Sequence, residues 1–556
     1  MKGKETPTPA PIQFRYGHSL FRTGNYIGAI DQLKGVATRK DTTGQFGSYI
    51  LAISHLQNKN PQASLTGFDN AAKLKFNKTI QEEAAFNHAK VQLELNNYSA
   101  AFAEFQEFIK NYPASEYEEE ANRLSILSLT KSNNSAAAVA YIEKLKKLDD
   151  ATKAAYQRQT MNLGIADFNA ERYAQAIVNF DKSLKYTPDS DIAQAAVFQK
   201  GEAFSALNRY GEAIPIYQQL IRSSSASPYG IRSLYSLGYA YYNTKDYKSA
   251  LANFQQYVSK GKGIGEPQTL EDATIRMADS YLTDKNYGQA MALYDKALSE
   301  GRLDRDYALY QKGLILTYQE KDTEAKMQFD KVIAQFPTSR YADDALFQSA
   351  NIDLEKGNYQ AAIRAYTRLV KDKPRSYLIP PALLKRALAY NNIQVFEEAI
   401  RDYKRILSEY ADAPAAKEAL LGLQATLENA GRTEEMSDVL ADYKKKNPQS
   451  TETEKLEFET AKGLYGDGKY PQAIKALQNF IRDYPNSKNA TEARYLGGES
   501  YYRSNDLANA LKLFNVVIGE GDEKFTPKAA LRAGDIEAQQ QNYSQAVRNF
   551  YVLYSQ

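Results

Sequence analysis

Cysteine is absent from this chain of 556 residues. That excludes disulfides, thiol catalysis and thiolate metal sites, and it leaves the redox compartment open. Tryptophan is absent too, and histidine occurs only as His18, His55 and His88. These three fall at different phases of the pattern described below, so packed or surface histidines are a better reading than a metal or general-base site. No apolar run reaches the length of about 18 residues that a membrane-spanning helix needs. An excess of one charge is also lacking, with 70 basic and 67 acidic residues giving a formal net charge of +3. That balance argues against nucleic acid or an anionic lipid surface as the partner. Nor is there a Gly-x-Ser-x-Gly elbow, a His-Glu-x-x-His pair or a glycine-rich dinucleotide fingerprint. The expectation is a chain that is not an enzyme and carries no cofactor.

What is present is a rhythm. Alanine recurs at Ala29, Ala101, Ala138, Ala176, Ala213, Ala250, Ala290, Ala325, Ala362, Ala399, Ala473, Ala510 and Ala546, in steps close to multiples of about 37 residues. Four residues on comes an aromatic or aliphatic side chain, as in Leu33, Phe105, Phe180, Tyr217, Phe254, Phe329, Tyr366 and Phe514. Twelve residues before the alanine lies a small or apolar residue, among them Gly17, Ala89, Ile126, Gly164, Gly201, Gly238, Gly313 and Gly498. Small residues on two helices allow close backbone approach, and the aromatic fills the space between one repeat and the next. Ser64 and Met436 depart from the alanine mark, and residues 131–135 are polar where an aromatic is expected. Repeats four and twelve are therefore the expected soft points.

Repeat seven shows the full phrase in Leu234, Leu237, Gly238, Tyr241, Tyr247, Ala250, Phe254 and Tyr257. This resembles the tetratricopeptide repeat, in fifteen phased copies along nearly the whole chain. The resemblance implies an all-α, right-handed superhelical solenoid of about fifteen helix-turn-helix repeats that acts as a protein-protein interaction scaffold. Residues 1–10 read as a linker or tail, 11–258 as repeats one to seven, 259–268 as a Gly/Pro-rich inter-repeat loop and 269–556 as repeats eight to fifteen. That loop is best read as a tolerated insertion. Residues 1–11 contain no apolar stretch, so a secretion signal or lipid-bearing cysteine is expected to be missing from this chain, and the last repeat lacks a polar cap, so further repeats or a partner are expected to cover it.

Pro113, Pro188, Pro337, Pro374, Pro448 and Pro485 punctuate the repeats eight residues after the aromatic mark. In Tyr112-Pro113-Ala114-Ser115-Glu116-Tyr117, Ser115 is expected to cap the next helix while Glu118 reaches back. Similar phrases recur at 336–341 and 484–487. They resemble the repeats of BamD-type outer-membrane assembly lipoproteins and of Tol-Pal-associated periplasmic proteins. The resemblance implies a periplasmic, outer-membrane-associated scaffold; the alternatives are a cytoplasmic scaffold or a peptidoglycan- or polysaccharide-associated envelope factor.

In proteins of this family, first-helix positions two, five, nine and twelve line the inner, concave face. By that phasing the resemblance assigns Arg232, Tyr235, Tyr239 and Tyr242 in repeat seven, Tyr307 and Tyr310 in repeat nine, and Phe458, Tyr465, Tyr495 and Tyr502 in repeats thirteen and fourteen to a partner-binding groove. The basic and amide clamp that some members use for a C-terminal carboxylate is missing, because its slots hold Phe347, Asn351, Leu384 and Leu388. An aromatic groove suits an extended peptide, an amphipathic helix or a loop of a folded protein. The expected partners are proteins, with no nucleic acid.

Overall fold

The computed structural model describes residues 9–447 and 452–555. Pro448 and residues 1–8 of the expected tail lie outside the described residues. Among those described there are thirty helices and no strand, two helices to each of fifteen repeats. The chain is an α-solenoid of helix-turn-helix units.

The same turn joins the two helices of every repeat. Just beyond the first helix one residue takes a left-handed backbone, from Gly24 (φ 80°) in repeat one through Lys245 (φ 65°) in repeat seven to Gln541 (φ 65°) in repeat fifteen. The next amide then bonds back over the helix end, as Asp246 N does to the Tyr241 carbonyl at 2.9 Å and Asn134 N to Leu129 at 3.0 Å. This is the Schellman closure, which satisfies carbonyls that the helix leaves open. Side chains at the next position start the second helix: Asn134 accepts from Ala137 N, Asp246 from Ser249 N and Asp506 from Asn509 N.

Packing within a repeat follows from one size match. The small mark on the first helix lies against the side chain four residues beyond the alanine. A Cβ on Gly164 would sit 2.4 Å from the Phe180 ring, on Gly238 2.7 Å from Phe254, on Gly313 2.5 Å from Phe329 and on Gly498 2.6 Å from Phe514. Phe180, Phe254, Phe329 and Phe514 are fully buried. Where the mark is Ile126, its counterpart shrinks to Ile142, and both are buried. A larger residue on the first helix is met by a smaller one on the second, as a close-packed interior requires.

The helices form two compact units, Met1–Leu293 and Tyr294–Gln556. In the first, repeat cores such as Phe86, Phe105 and Phe108 in repeat three and Phe254 and Tyr257 in repeat seven follow one another along the chain. In the second, an extended core runs from Ile379 to Leu456 through Tyr403, Met436 and Tyr443.

Three expectations are corrected. The first helix opens at Ala10, with Pro11 in its first turn, inside the range expected to be tail. The inter-repeat loop narrows to 261–266, because one helix continues to Lys260 and the next opens at Pro267. Ser115 does not form a capping box: its Oγ accepts from Tyr117 N at 3.0 Å, and the helix starts at Glu118. The same local bond joins Ser339 to Tyr341 N, Ser376 to Leu378 N and Ser487 to Asn489 N. The serine thus folds a turn ahead of the helix, as serine hydroxyls do in such turns. Repeats four and twelve do depart from the others. The second helix of repeat four, Ser135–Ile142, has 8 residues against 14 in repeat seven, and the following first helix, Asp150–Asn169, has 20. In repeat twelve Met436 is fully buried at the alanine mark.

Candidate interaction surface

The phased residues stand on the first helices, and their neighbours are the first helices of the following repeat. On Pro228–Asn243, Arg232 is exposed while Tyr235, Tyr239 and Tyr242 are half-buried. The tyrosine hydroxyls are not open to a partner. Tyr235 donates to Asp272 Oδ2 at 2.8 Å, Tyr239 donates to the same oxygen, and Tyr242 is turned to Asp279 Oδ2 at 3.5 Å. Arg276, between the two acids, bonds Asp272 at 3.2 Å and Asp279 at 2.6 Å. Asp272, Arg276 and Asp279 occupy positions two, six and nine of repeat eight, one face of a single helix. The rings pack as well: Tyr235 lies 5.1 Å from Tyr257 and Tyr239 5.4 Å from Phe254.

Burial, reinforced by the neighbouring carboxylates, raises all three phenols; Tyr242 is pushed up to about 12. The surface offered at repeat seven is therefore ring edges and the Arg232 guanidinium, with the Asp272 carboxylate taken up by the tyrosines and Arg276, and Asp279 buried.

Repeat nine closes differently. Tyr307 and Tyr310 are half-buried, and both rings lie against Tyr341 from the turn of repeat ten, at 5.3 and 5.5 Å. Tyr310 and Tyr341 stack within 19° of parallel. Phe86 and Tyr117 repeat the arrangement at 4.7 Å and 15°. Tyr341 and Tyr377 were not anticipated as surface residues. Tyr377, whose hydroxyl reaches Asp344, is 72% exposed. For Tyr341 the signal was available: the last tyrosine of the aromatic-Pro-x-Ser phrase packs on the preceding first helix, as Tyr117 does on Phe86.

In repeats thirteen and fourteen one expectation fails. Phe458 is 2% exposed and lies 5.3 Å from Phe480, so it belongs to the core and not to the groove. It has no hydroxyl that must stay near a polar partner, whereas Tyr235, at the same phase, does. Tyr465, Tyr495 and Tyr502 are half-buried around a polar pair, in which buried Glu499 accepts from Arg532 Nε at 2.6 Å and the Arg532 guanidinium lies 4.9 Å over the Tyr502 ring. Tyr495 packs on Phe514 and Phe525, and burial pushes it up to about 12. Both clusters share one plan, an arginine at position six beside an acid, with tyrosines around it.

Elsewhere, His88 Nδ1 lies 2.7 Å from Glu104 Oε2, and burial, with Lys34 nearby, lowers His55. Among the described residues no group of three or more His, Asp or Glu is placed to hold a metal ion, and no helix is long and apolar enough to cross a membrane.

Family comparison matches tetratricopeptide-repeat models to residues 161–228, 198–267, 347–416, 83–115 and 307–339, and an outer membrane lipoprotein model to residues 424–556. DnaJ homolog subfamily C member 7 of Homo sapiens is 22% identical over 240 residues, 43% of this chain and 41% of the relative. Outer membrane protein assembly factor BamD of Xylella fastidiosa is 22% identical over 129 residues, 20% of this chain and 44% of the relative. The chain thus spans less than half the length of these curated relatives, 41 and 44%. Among solved structures, the C-terminal part of a TPR repeat-containing protein from Cytophaga hutchinsonii aligns with 53% of this chain and 98% of its own at 16% identity, with a TM-score of 0.34. The chain is a protein of tetratricopeptide repeats, the architecture of interaction scaffolds, and it resembles the BamD-type proteins.

Proposed function

We propose that this chain is a non-catalytic scaffold of the bacterial cell envelope, working at the periplasmic face of the outer membrane with an assembly or secretion complex. The observation that carries this reading is the match of residues 424–556 to the outer membrane lipoprotein model. That segment contains the Tyr465, Tyr495, Tyr502, Glu499 and Arg532 cluster, so the part most like an envelope protein also presents a polar-aromatic surface. Partners are held by the first-helix faces, where tyrosine rings and fixed charges combine large contact area with low side-chain entropy.

The test is crosslinked affinity purification of the chain from its native organism, followed by mass spectrometry. Recovery of outer-membrane assembly or secretion proteins supports the reading. Recovery of cytoplasmic proteins alone overturns its localisation and leaves a scaffold of another compartment.

A further inference from the structure

The first-helix face of repeat seven is closed by its own side chains, and the same phases of repeat four are not. Position five is Arg123 where repeat seven has Tyr235, and position nine is Leu127 where it has Tyr239. On the following helix, position two is Arg158 where repeat eight has Asp272. The residue that would receive a hydroxyl from the preceding repeat is thus replaced by a cation, and the rings that would fill the space are replaced by smaller groups. The extra N-terminal length of Asp150–Asn169 adds Ala154 and Ala155 to the opposite wall.

The result is a cleft of about 340 Å³ floored by Ile126, Leu127, Ala154 and Ala155. Leu127 is 39% exposed. The only charged side chains lining the cleft are Arg123 and Arg158, both exposed. Arg123 approaches Asp149 at 3.9 Å, and among the described residues no carboxylate pairs with Arg158. Asp149 is itself engaged, capping its helix through Thr152 N at 2.7 Å. An apolar floor between two under-used guanidinium groups calls for an apolar side chain flanked by carboxylates, since arginine meets a carboxylate through paired charge-assisted bonds.

We propose that the cleft between the first helices of repeats four and five is a docking site for an acidic amphipathic helix of a partner protein. Its apolar side chain enters over Leu127 and its carboxylates engage Arg123 and Arg158. The inference rests on the scaffold reading and supplies the partner chemistry that the reading leaves open.

The experiment uses the full chain and a fluorescein-labelled synthetic helix of leucines on one face flanked by glutamates, with fluorescence anisotropy as the readout. A second peptide carries lysines in place of the glutamates. The wild-type chain is expected to bind the glutamate peptide and not the lysine peptide. Arg123→Glu with Arg158→Glu weakens the first by about ten-fold or more, as loss of desolvated charge pairs does, and gains the second. Both sites are exposed, so circular dichroism of the double variant is expected to match wild type, and the gained lysine peptide shows that it remains folded.

Failure of the wild type to bind the glutamate peptide overturns the proposal, as does equal binding by the double variant. Self-association of the chain that is abolished by the double variant would make the occupant a second copy. Binding of a single-stranded oligonucleotide in place of the peptide would make it a nucleic acid. These results concern the cleft alone, whereas failure of the envelope reading shows in which proteins are recovered by crosslinking.

Discussion

Repeats four and seven are built on the same turn and the same register, yet they present opposite faces. In repeat seven, tyrosines at positions five and nine hand their hydroxyls to Asp272 of the next repeat, and the face is tied shut. In repeat four the same positions carry Arg123 and Leu127, the next repeat answers with Arg158, and the face stays open over a cleft of about 340 Å³. The lesson concerns where binding energy can come from. A tyrosine whose hydroxyl is already bonded offers a partner its ring edge, and a guanidinium without a carboxylate offers a charge-assisted bond. In repeat seven the tyrosine hydroxyls are already engaged within the chain, and in repeat four smaller and cationic residues leave a cleft beside Leu127.

The size match at the repeat cores breaks the comparison most severely. Gly238→Ile drives a branched side chain into the Phe254 ring, which a Cβ would already approach at 2.7 Å. It is expected to cost about 3 kcal/mol in denaturant unfolding and to remove hydrogen-exchange protection from repeat seven first. Ile126→Ala opens a cavity against Ile142 in repeat four and is expected to cost about 2 kcal/mol. A reversed order would show that the volume match does not set local stability. The polar tie comes next. Asp272→Ala leaves two half-buried hydroxyls and Arg276 short of an acceptor and should cost about 2 kcal/mol. A cost below that of removing a surface charge would show that the tyrosine ladder does not close the face.

The ladder also has a pH signature. Tyr235, Tyr239 and Tyr242 are held above the ordinary tyrosine value of 10, first by burial, so folding favours their neutral form. Their stabilisation is complete below about pH 10 and is lost as pH rises through the folded values, which for Tyr242 is about 12. Thermal unfolding between about pH 9 and 12 should weaken less steeply in a Tyr235→Phe, Tyr239→Phe, Tyr242→Phe variant than in wild type. The smallest effect lies in the shared turn. Lys245 holds a left-handed backbone without being glycine, so Lys245→Gly is expected to stabilise repeat seven by about 1 kcal/mol. Asn133→Gly in repeat four should gain less, because asparagine tolerates that conformation better.

The repeats themselves were legible because each carries several phased marks, and helix packing needs those marks at fixed spacings. Gly238 and Phe254 could be matched from sequence alone, and the structure places them in contact. The Ser115 turn was misread because Ser-x-x-Glu also fits a capping box, and only the backbone shows that the helix begins three residues later. Phe458 was assigned by phase to the groove, although phase says nothing about whether a ring without a polar tip will bury itself. Tyr235 and Tyr239 were assigned to the groove by phase, and the bonding of their hydroxyls within the chain was not legible because their shared acceptor, Asp272, lies 37 and 33 residues away on a different helix. With the register known, Asp272 at position two of repeat eight becomes readable as their target. The open cleft was not legible in the sequence because it is defined by what repeat four lacks, and no aromatic mark points to it.

Site-specific photocrosslinking in the native organism tests the account most directly. Benzoylphenylalanine is placed at Leu127 in the open cleft, at Tyr242 on the closed face, and at Val178, 47% exposed on a second helix. Discrete protein adducts are expected at Leu127, weaker adducts at Tyr242 and none at Val178. Adducts at Val178 as strong as those at Leu127 would contradict it, because partners would then be held without regard to the first-helix faces.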